Sequence, residues 1–252
     1  NPLASVCGRV CTHPCESNCK SGEAGKPLAV RELKRFATDY GLKSGFKMPI
    51  KSKELKNKKV AIIGSGPGGL TAGYFLSLEG YDVTIFEAKD VLGGMLRVAI
   101  PTYRLPRELL DADIAVIKQA GVKFQTNTAL GKDISINSLF NDGYEAIFIS
   151  VGAHKPMDLG IPGEDSEGVI GSLKFLEAVN LGKDIKVGKR IGIIGGGNAA
   201  VDAARAAHRL PNTEKVTLIY RRTRAEMPAF KEEVDAAIEE GIDIQFLSAP
   251  TK

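Results

Sequence analysis

The chain has 252 residues, of which 43% are hydrophobic and 25% charged, and its formal net charge is only +4. These values are typical of an ordinary globular protein with one or two domains and a sizeable core. No apolar run reaches the roughly 18 residues of a membrane span and no signal peptide is visible, so we expect a cytoplasmic protein without a membrane partner. The chain begins with Asn1 rather than Met, which indicates processing or a piece of a longer protein.

All four cysteines lie near the start of the chain, at Cys7, Cys11, Cys15 and Cys19. Because disulfides are rare in the cytosol, such a cluster indicates metal or redox chemistry. The spacing matches neither the Cys-x2-Cys pairs of zinc sites nor the short ferredoxin run. Thiolates suit both iron–sulfur clusters and zinc, so the pattern favours an iron–sulfur cluster and leaves zinc, or no metal, as alternatives.

A helix is predicted over Leu28–Tyr40, because apolar residues recur there at helical spacing. Residues 1–42 are therefore predicted to form a small helical domain that carries the cysteines. Seven lysines follow between Lys43 and Lys59. We interpret this stretch as a solvated linker rather than an anion site, and we expect no nucleic-acid partner.

From residue 57 the pattern becomes α/β, with strands and helices in alternation. A first unit, residues 57–160, is predicted to contain strands at Lys59–Ile63, Asp82–Phe86, Val122–Thr126 and Ala146–Val151 and helices at Gly69–Glu79 and Glu108–Ala120. A second unit, residues 161–252, is predicted to contain strands at Arg190–Ile194, Lys215–Tyr220 and Ile242–Leu247 and helices at Asn198–Arg209 and Ala229–Glu240. The fold class is thus α/β with two Rossmann-like, doubly wound dinucleotide-binding domains, the second of them truncated.

The first unit contains a glycine-rich turn that fits G-x-G-x-x-G between a strand and a helix. Gly64 permits the tight turn, Gly66 lets the backbone approach a pyrophosphate, and Gly69 lets the helix pack close to the strand. Glu87 ends the next strand, where an acid accepts hydrogen bonds from an unphosphorylated ribose, as in FAD or NAD. The alternative is a glycine turn that binds no ligand.

The second unit contains Gly195-Gly196-Gly197-Asn198-Ala199-Ala200, which fits G-x-G-x-x-A. The strand that follows ends in Arg221 and Arg222, and no acid occupies the ribose position. Basic groups there suit a 2′-phosphate, so NADPH is favoured over NADH. The alternative is a solvated strand end that binds nothing.

Six segments in this order carry a family resemblance: NPLASVCGRVCTHPCESNC, LKRFATDY, GSGPGGL, GGMLRVAIPTYRLP, GGGNAAVDAAR and YRRTRAEMPA. Together they resemble the small (β) subunit family of NADPH-dependent glutamate synthase, which is related to the flavoprotein subunit of ferredoxin:NADP oxidoreductase and to the N-terminal half of dihydropyrimidine dehydrogenase. The resemblance implies FAD contacts from Gly64, Gly66, Gly69, Glu87, Gly94, Met95 and Arg104. It implies NADPH contacts from Gly195, Gly197, Asn198, Ala199, Arg221 and Arg222, and 4Fe-4S cluster ligands at Cys7, Cys11, Cys15 and Cys19.

The same resemblance implies electron transfer from NADPH through FAD to 4Fe-4S clusters and then to a large subunit or ferredoxin-type partner, without a catalytic side chain. Three features depart from the family: an upstream cysteine run is absent, Lys34 stands where some members have a Glu or Gln ligand, and the C-terminal FAD segment is absent. The family divides the four cysteines between two clusters. The alternatives are a reductase subunit of another complex, a scaffold that has lost its cofactors, or a zinc-stabilised nucleotide sensor.

Overall fold

The computed structural model describes residues 1–47, 50 and 53–251, so part of the predicted lysine-rich linker lies outside the described residues. The chain divides into two compact units. The first contains residues 1–97 and 102–152, and the second contains residues 98–101 and the chain from Ala153 onward. None of the described helices is long and apolar enough to cross a membrane.

The cysteine segment is largely helical. Its elements are α1 (Ala4–Val10), α2 (Pro14–Ser17), a 3-10 helix at Lys20–Ala24 and α3 (Val30–Lys43). Helix α1 crosses α3 so closely that a Cβ at Gly8 would lie 2.9 Å from the Cα of Arg35. An ion pair of 2.7 Å between Arg9 and Asp39 joins the same two helices.

Helix α3 forms as predicted, but its apolar stripe is not covered. Leu33, Phe36 and Tyr40 are 60%, 71% and 66% exposed. The helix packs on α1 through the side that contains Arg35, because Gly8 permits close approach there. Local periodicity predicted the helix correctly, while its contacts were decided by the crossing of α1.

The first unit contains a four-stranded parallel sheet in the order β3-β2-β1-β4. Its strands are β1 (Lys59–Ile63), β2 (Asp82–Phe86), β3 (Lys123–Gln125) and β4 (Tyr144–Ile149), and its helices are α4 (Pro67–Leu78), α5 (Met95–Val98), α6 (Arg107–Gln119) and α7 (Ile136–Asn141). Among its fully buried side chains are Ile62, Leu70, Ile85 and Leu110, which come from both strands and helices. Strand β1 is central in the sheet, and the first glycine turn begins directly at its carboxyl end, at Gly64.

The second unit repeats this plan with a parallel sheet in the order β5-β6-β7. Its elements are α8 (Ser172–Asn180), β5 (Arg190–Ile194), α9 (Asn198–His208), β6 (Lys215–Ile219), a 3-10 helix at Arg224–Glu226, α10 (Lys231–Glu239) and β7 (Asp243–Gln245). Alanines on the buried side of α9 allow close packing on the strands. The α/β class with parallel sheets is as predicted, while α7 and α8 were not predicted.

Candidate functional site

The first glycine turn joins β1 to α4, and two of its glycines are required by the chain itself. Gly64 has a φ of +100°, and a Cβ there would lie 2.4 Å from the carbonyl oxygen of Ser150. A Cβ at Gly69 would lie 2.0 Å from the carbonyl oxygen of Gly64. Neither position accepts a side chain without moving backbone atoms, so these glycines shape the turn.

Gly66 differs, because nothing in the protein requires a glycine there. Its backbone is extended, with φ −69° and ψ 178°, and it is the N-cap of α4. A Cβ at Gly66 would meet no atom within 4 Å. The open space faces a helix N-terminus, where free backbone N–H groups and the helix dipole favour an anion. The turn therefore fits the pyrophosphate of a dinucleotide, which approaches a backbone without a side chain.

Glu87 stabilises the first glycine turn by hydrogen bonds to Ser65, a role that the sequence did not predict. Its carboxylate is buried and its Oε2 accepts hydrogen bonds from the Ser65 N–H at 2.9 Å and from the Ser65 hydroxyl at 2.6 Å. Its Oε1 accepts one from the Lys89 N–H at 2.9 Å. A carboxylate has about four lone-pair positions, so acceptor capacity remains for a ribose hydroxyl. That ribose contact stays a prediction.

A second glycine pair lies against this turn. The Gly93 N–H donates to the carbonyl oxygen of Ser65 at 3.1 Å and to its hydroxyl at 3.1 Å. A Cβ at Gly94 would lie 2.7 Å from the Cα of Gly66. Met95 begins α5 directly after Gly94, which lies against the first glycine turn, Gly64–Gly69, called the first cradle below. Arg104 is half-buried in the loop before α6. FAD contacts by Met95 and Arg104 stay predictions.

The second cradle, Gly195–Ala199, follows β5. As in the first, some of its glycines are required by the protein itself and one is not. Gly195 has a φ of +131°, and a Cβ at Gly196 would lie 2.5 Å from the ring of Tyr220. Gly197 is the extended N-cap of α9, and a Cβ there would meet no atom within 4 Å. Ala199 is exposed on the first turn of α9. This turn fits a second pyrophosphate for the same physical reason as the first.

Asn198 begins α9, but its side chain faces the protein. Its Oδ1 accepts a hydrogen bond of 3.0 Å from the Phe230 N–H. Phe230 lies beyond β6 at the end of the segment that contains the paired arginines. The Asn198 Oδ1 is therefore bonded to the protein itself, and the predicted contact of Asn198 with NADPH stays a prediction.

The arginines after β6 differ in their partners. Arg224 forms an ion pair with Asp235. Arg221 and Arg222 are exposed, and their guanidinium groups make no hydrogen bond or ion pair with the part of the chain that the structure describes. Arg222 acts on Glu226 through its charge, which helps to lower the pKa of that carboxyl after the larger effect of hydrogen bonds from Thr223. Two cations thus remain available to an anionic ligand near the second cradle.

The four cysteines do not form one complete metal site. Cys7 lies in α1, Cys11 follows it, Cys15 lies exposed in α2, and Cys19 precedes the 3-10 helix. Over residues 1–47, 50 and 53–251, no three Cys, His, Asp or Glu side chains are grouped so that they could hold a metal ion. The thiols are therefore not gathered at one point within the described residues, and ligation of a cluster by all four cysteines stays a prediction.

Two of the thiols receive backbone hydrogen bonds. The Sγ of Cys11 accepts one from the His13 N–H at 3.4 Å, and the Sγ of Cys19 accepts one from the Leu28 N–H at 3.5 Å. The Leu28 N–H is the largest cause that lowers the pKa of the Cys19 thiol. The bond from Leu28 therefore favours the thiolate of Cys19, the form that binds metals.

Asp113 on α6 anchors the cysteine segment, and sequence analysis did not single it out. It is buried, and its two carboxylate oxygens accept hydrogen bonds from the N–H groups of Ser5 at 3.3 Å and Val6 at 3.0 Å. Burial raises the pKa of Asp113, and these hydrogen bonds oppose the rise. The signal that could have identified it is its spacing, three residues after Leu110 and four before Ile117, which places this acid on the apolar face of α6.

Comparisons with known proteins match the chain in two stretches. Residues 58–252 match the family model described as pyridine nucleotide-disulphide oxidoreductase. Residues 1–46 match the model described as dihydropyrimidine dehydrogenase domain II, 4Fe-4S cluster. FprA from Mycobacterium tuberculosis in complex with NADPH resembles the structure with a TM-score of 0.63 at 22% identity, over 74% of this chain and 48% of FprA. At that identity the likeness concerns the fold alone.

Curated relatives are more similar in sequence but differ in name. NADPH-Fe(3+) oxidoreductase subunit beta of Geobacter sulfurreducens is 44% identical over all of this chain and 38% of its own length. NADP(+)-dependent formate dehydrogenase subunit beta of Moorella thermoacetica is 46% identical over 99% of this chain and 38% of its own. The glutamate synthase (NADPH) small chain of Escherichia coli is 32% identical over 99% and 55%. The chain thus spans between a third and three fifths of these relatives.

Proposed function

The chain belongs to the pyridine nucleotide-disulphide oxidoreductase family. We propose that it accepts electrons from NADPH and transfers them into an oxidoreductase complex. The predicted family, and the predicted cofactors of FAD, a nicotinamide dinucleotide and a 4Fe-4S cluster, are confirmed by the two family matches. The proposal adds three points: which residues hold each cofactor, the preference for NADPH, and transfer to a partner subunit.

One observation carries the proposal. Gly66 and Gly197 occupy equivalent positions in two separate turns, and neither backbone conformation nor packing requires glycine at either. Glycine that the protein does not need for itself is expected where a ligand lies against the backbone. We therefore assign the FAD pyrophosphate to the turn at Gly64–Gly69 and the NADPH pyrophosphate to the turn at Gly195–Ala199.

The residues of this chain bind and orient, and the cofactors supply the redox chemistry. FAD, when bound, can accept a hydride from a nicotinamide and release electrons singly. Glu87 and Ser65 hold the first turn in shape, while Arg221 and Arg222 are placed to pair with a 2′-phosphate. The electron acceptor is a partner subunit or a ferredoxin-type protein, since the relatives are named as subunits of several different oxidoreductases.

The test uses protein purified anaerobically, with visible spectra recorded during separate titrations with NADPH and NADH. We expect flavin absorption that NADPH bleaches at lower concentration than NADH. Gly66→Ala is expected to fold normally and to lose flavin, because its methyl group would fill the first cradle. Gly197→Ala is expected to keep flavin but to lose its reduction by NADPH.

The two variants control for each other, since both add one methyl group at an N-cap with open space. A colourless wild-type protein, or flavin that neither nucleotide reduces, would support the alternative of a scaffold that has lost its cofactors. Retention of both cofactors in the two variants would refute the assignment of the cradles.

A further inference from the structure

The segment between β6 and α10, residues 221–230, forms an arch that returns to the second glycine turn. The arch begins with Arg221 and Arg222, which follow Tyr220, the first residue after β6. It ends where the Ala229 N–H donates to the carbonyl oxygen of Gly196 at 3.0 Å. The same segment therefore contains Arg221 and Arg222, whose guanidinium groups make no hydrogen bond or ion pair within the described part of the chain, and it contacts the second glycine turn.

Asn198 supplies the second bond at the end of the arch. Its Oδ1 accepts the Phe230 N–H at 3.0 Å, one residue after the Ala229 bond. Asn198 is also the first residue of α9 and directly follows Gly197 of the second cradle. A side chain that could have faced a phosphate instead fixes where the arch ends.

Tyr220 supplies a third contact, from the start of the arch to its middle. Its hydroxyl donates to the carbonyl oxygen of Glu226 at 2.8 Å. Its ring is buried beneath Gly196, where a Cβ would approach it to 2.5 Å. Glu226 in turn accepts hydrogen bonds from the N–H of Thr223 at 3.1 Å and its hydroxyl at 3.2 Å, which closes the turn after the arginines.

These contacts hold the end of the arch against the second glycine turn through Ala229 and Phe230, and its middle through the hydroxyl of Tyr220. We propose that Asn198 and Tyr220 are positioning residues for nucleotide selectivity: they hold the arch so that Arg221 and Arg222 lie at the distance of a 2′-phosphate from the bound pyrophosphate. This inference rests on the proposed function. It adds that selectivity depends on residues that do not themselves contact the 2′-phosphate.

The distinguishing feature is the kind of effect that each variant has. Loss of a direct contact to the pyrophosphate weakens NADP⁺ and NAD⁺ equally, because both nucleotides contain it. Loss of the arch position weakens NADP⁺ alone, because only that nucleotide reaches the arginines. The ratio of the two affinities therefore separates this positioning role from direct binding of the pyrophosphate, the contact that Asn198 at the start of α9 could otherwise make.

The experiment measures NADP⁺ and NAD⁺ binding by titration calorimetry on the flavin-loaded protein. Asn198→Ala is expected to reduce the NADP⁺ preference roughly fivefold, the effect of one lost hydrogen bond. Asn198→Asp keeps an acceptor for the Phe230 N–H and adds a negative charge, so it is expected to weaken both nucleotides while it preserves their ratio. Tyr220→Phe removes only the hydroxyl bond and is expected to reduce the preference by a similar factor to Asn198→Ala.

Two controls make the result decisive. Asn212→Ala changes an exposed amide in the turn between α9 and β6, and it is expected to leave both affinities unchanged. The double variant Arg221→Ala with Arg222→Ala tests the proposed function itself, and it is expected to abolish the preference. If the preference persists in the double variant, the assignment of NADPH to these arginines is wrong.

The inference fails separately if the double variant loses the preference while Asn198→Ala and Tyr220→Phe keep it. It also fails if Asn198→Ala weakens both nucleotides equally, since that result assigns Asn198 to the pyrophosphate. A loss of preference in Asn198→Asp equal to that in Asn198→Ala would overturn the assigned acceptor role. Circular dichroism of each variant identifies any that do not fold, and Tyr220→Phe then decides alone.

Discussion

Replacement of Glu240 by Gln is expected to destabilise the second unit in a pH-dependent way. Glu240 follows α10 and accepts hydrogen bonds from Arg205 at 2.6 Å and from Arg209 at 2.7 Å, both on α9. The side chains of Arg205 and Glu240 are 10% and 23% exposed. Hydrogen bonds from Arg209 and then Arg205 lower the pKa of Glu240 from 4.5 to about 2.

The magnitude follows from this lowered pKa. A carboxyl that titrates near 2 when folded and near 4.5 when unfolded stabilises the fold by at most about 3 kcal/mol. Solvent reaches part of the pair, and Arg205 keeps a second partner in Glu233, so we expect about 1–2 kcal/mol. Because the folded pKa is depressed, this stability is fully present above pH 4.5 and is lost as the pH falls toward 2.

The assay is native-state hydrogen exchange of α9 and α10 amides at pH 7 and pH 4, with variant and wild type compared at each pH. At pH 7 Glu240→Gln is expected to lower the opening free energy by about 1–2 kcal/mol. At pH 4 the unfolded carboxyl is mostly protonated, so the difference is expected to shrink by roughly 0.5–1 kcal/mol.

A matched control is available in the neighbouring residue. Glu239 is exposed at the end of α10, and Glu239→Gln is expected to change stability by less than about 0.5 kcal/mol at either pH. A difference for Glu240→Gln that is the same at pH 7 and pH 4 would refute the linkage argument. An equal effect of both variants would show that general charge, rather than the arginine pair, stabilises this unit.

Two further predictions concern the first unit. Gly69→Ala is expected to cost about 3 kcal/mol or more in unfolding experiments, because its Cβ would meet the Gly64 carbonyl at 2.0 Å. Gly68→Ala in the same helix turn meets only a rotatable hydroxyl and is expected to cost far less, so similar losses would contradict the argument. Asp113→Ala leaves two buried N–H groups without an acceptor and is expected to loosen α1 by about 2 kcal/mol. Iodoacetamide should then alkylate Cys7 faster than in the wild type, and an unchanged rate would contradict the anchoring role.

Local sequence alone was enough to place most strands and both cradles. The predicted strands Lys59–Ile63, Asp82–Phe86 and Arg190–Ile194 have the bounds that the structure shows. A short apolar run followed by glycines and a helical period is a local pattern, and the conformation of each piece depends mainly on its own residues. The positive φ angles at Gly64 and Gly195 are local features, but the contacts with Ser150 and Tyr220 that also require glycine at Gly64 and Gly196 come from distant parts of the chain.

Only the tertiary structure decided which side chains stabilise these pieces and which faces are covered. Glu87 bonds Ser65 across 22 positions, Asn198 bonds Phe230 across 32, and Asp113 bonds Val6 across 107. The exposed stripe of α3 has the same cause, because periodicity defines an apolar face but not the element that covers it. A buried polar group needs a partner, and the chain path determines which group is near enough to be that partner.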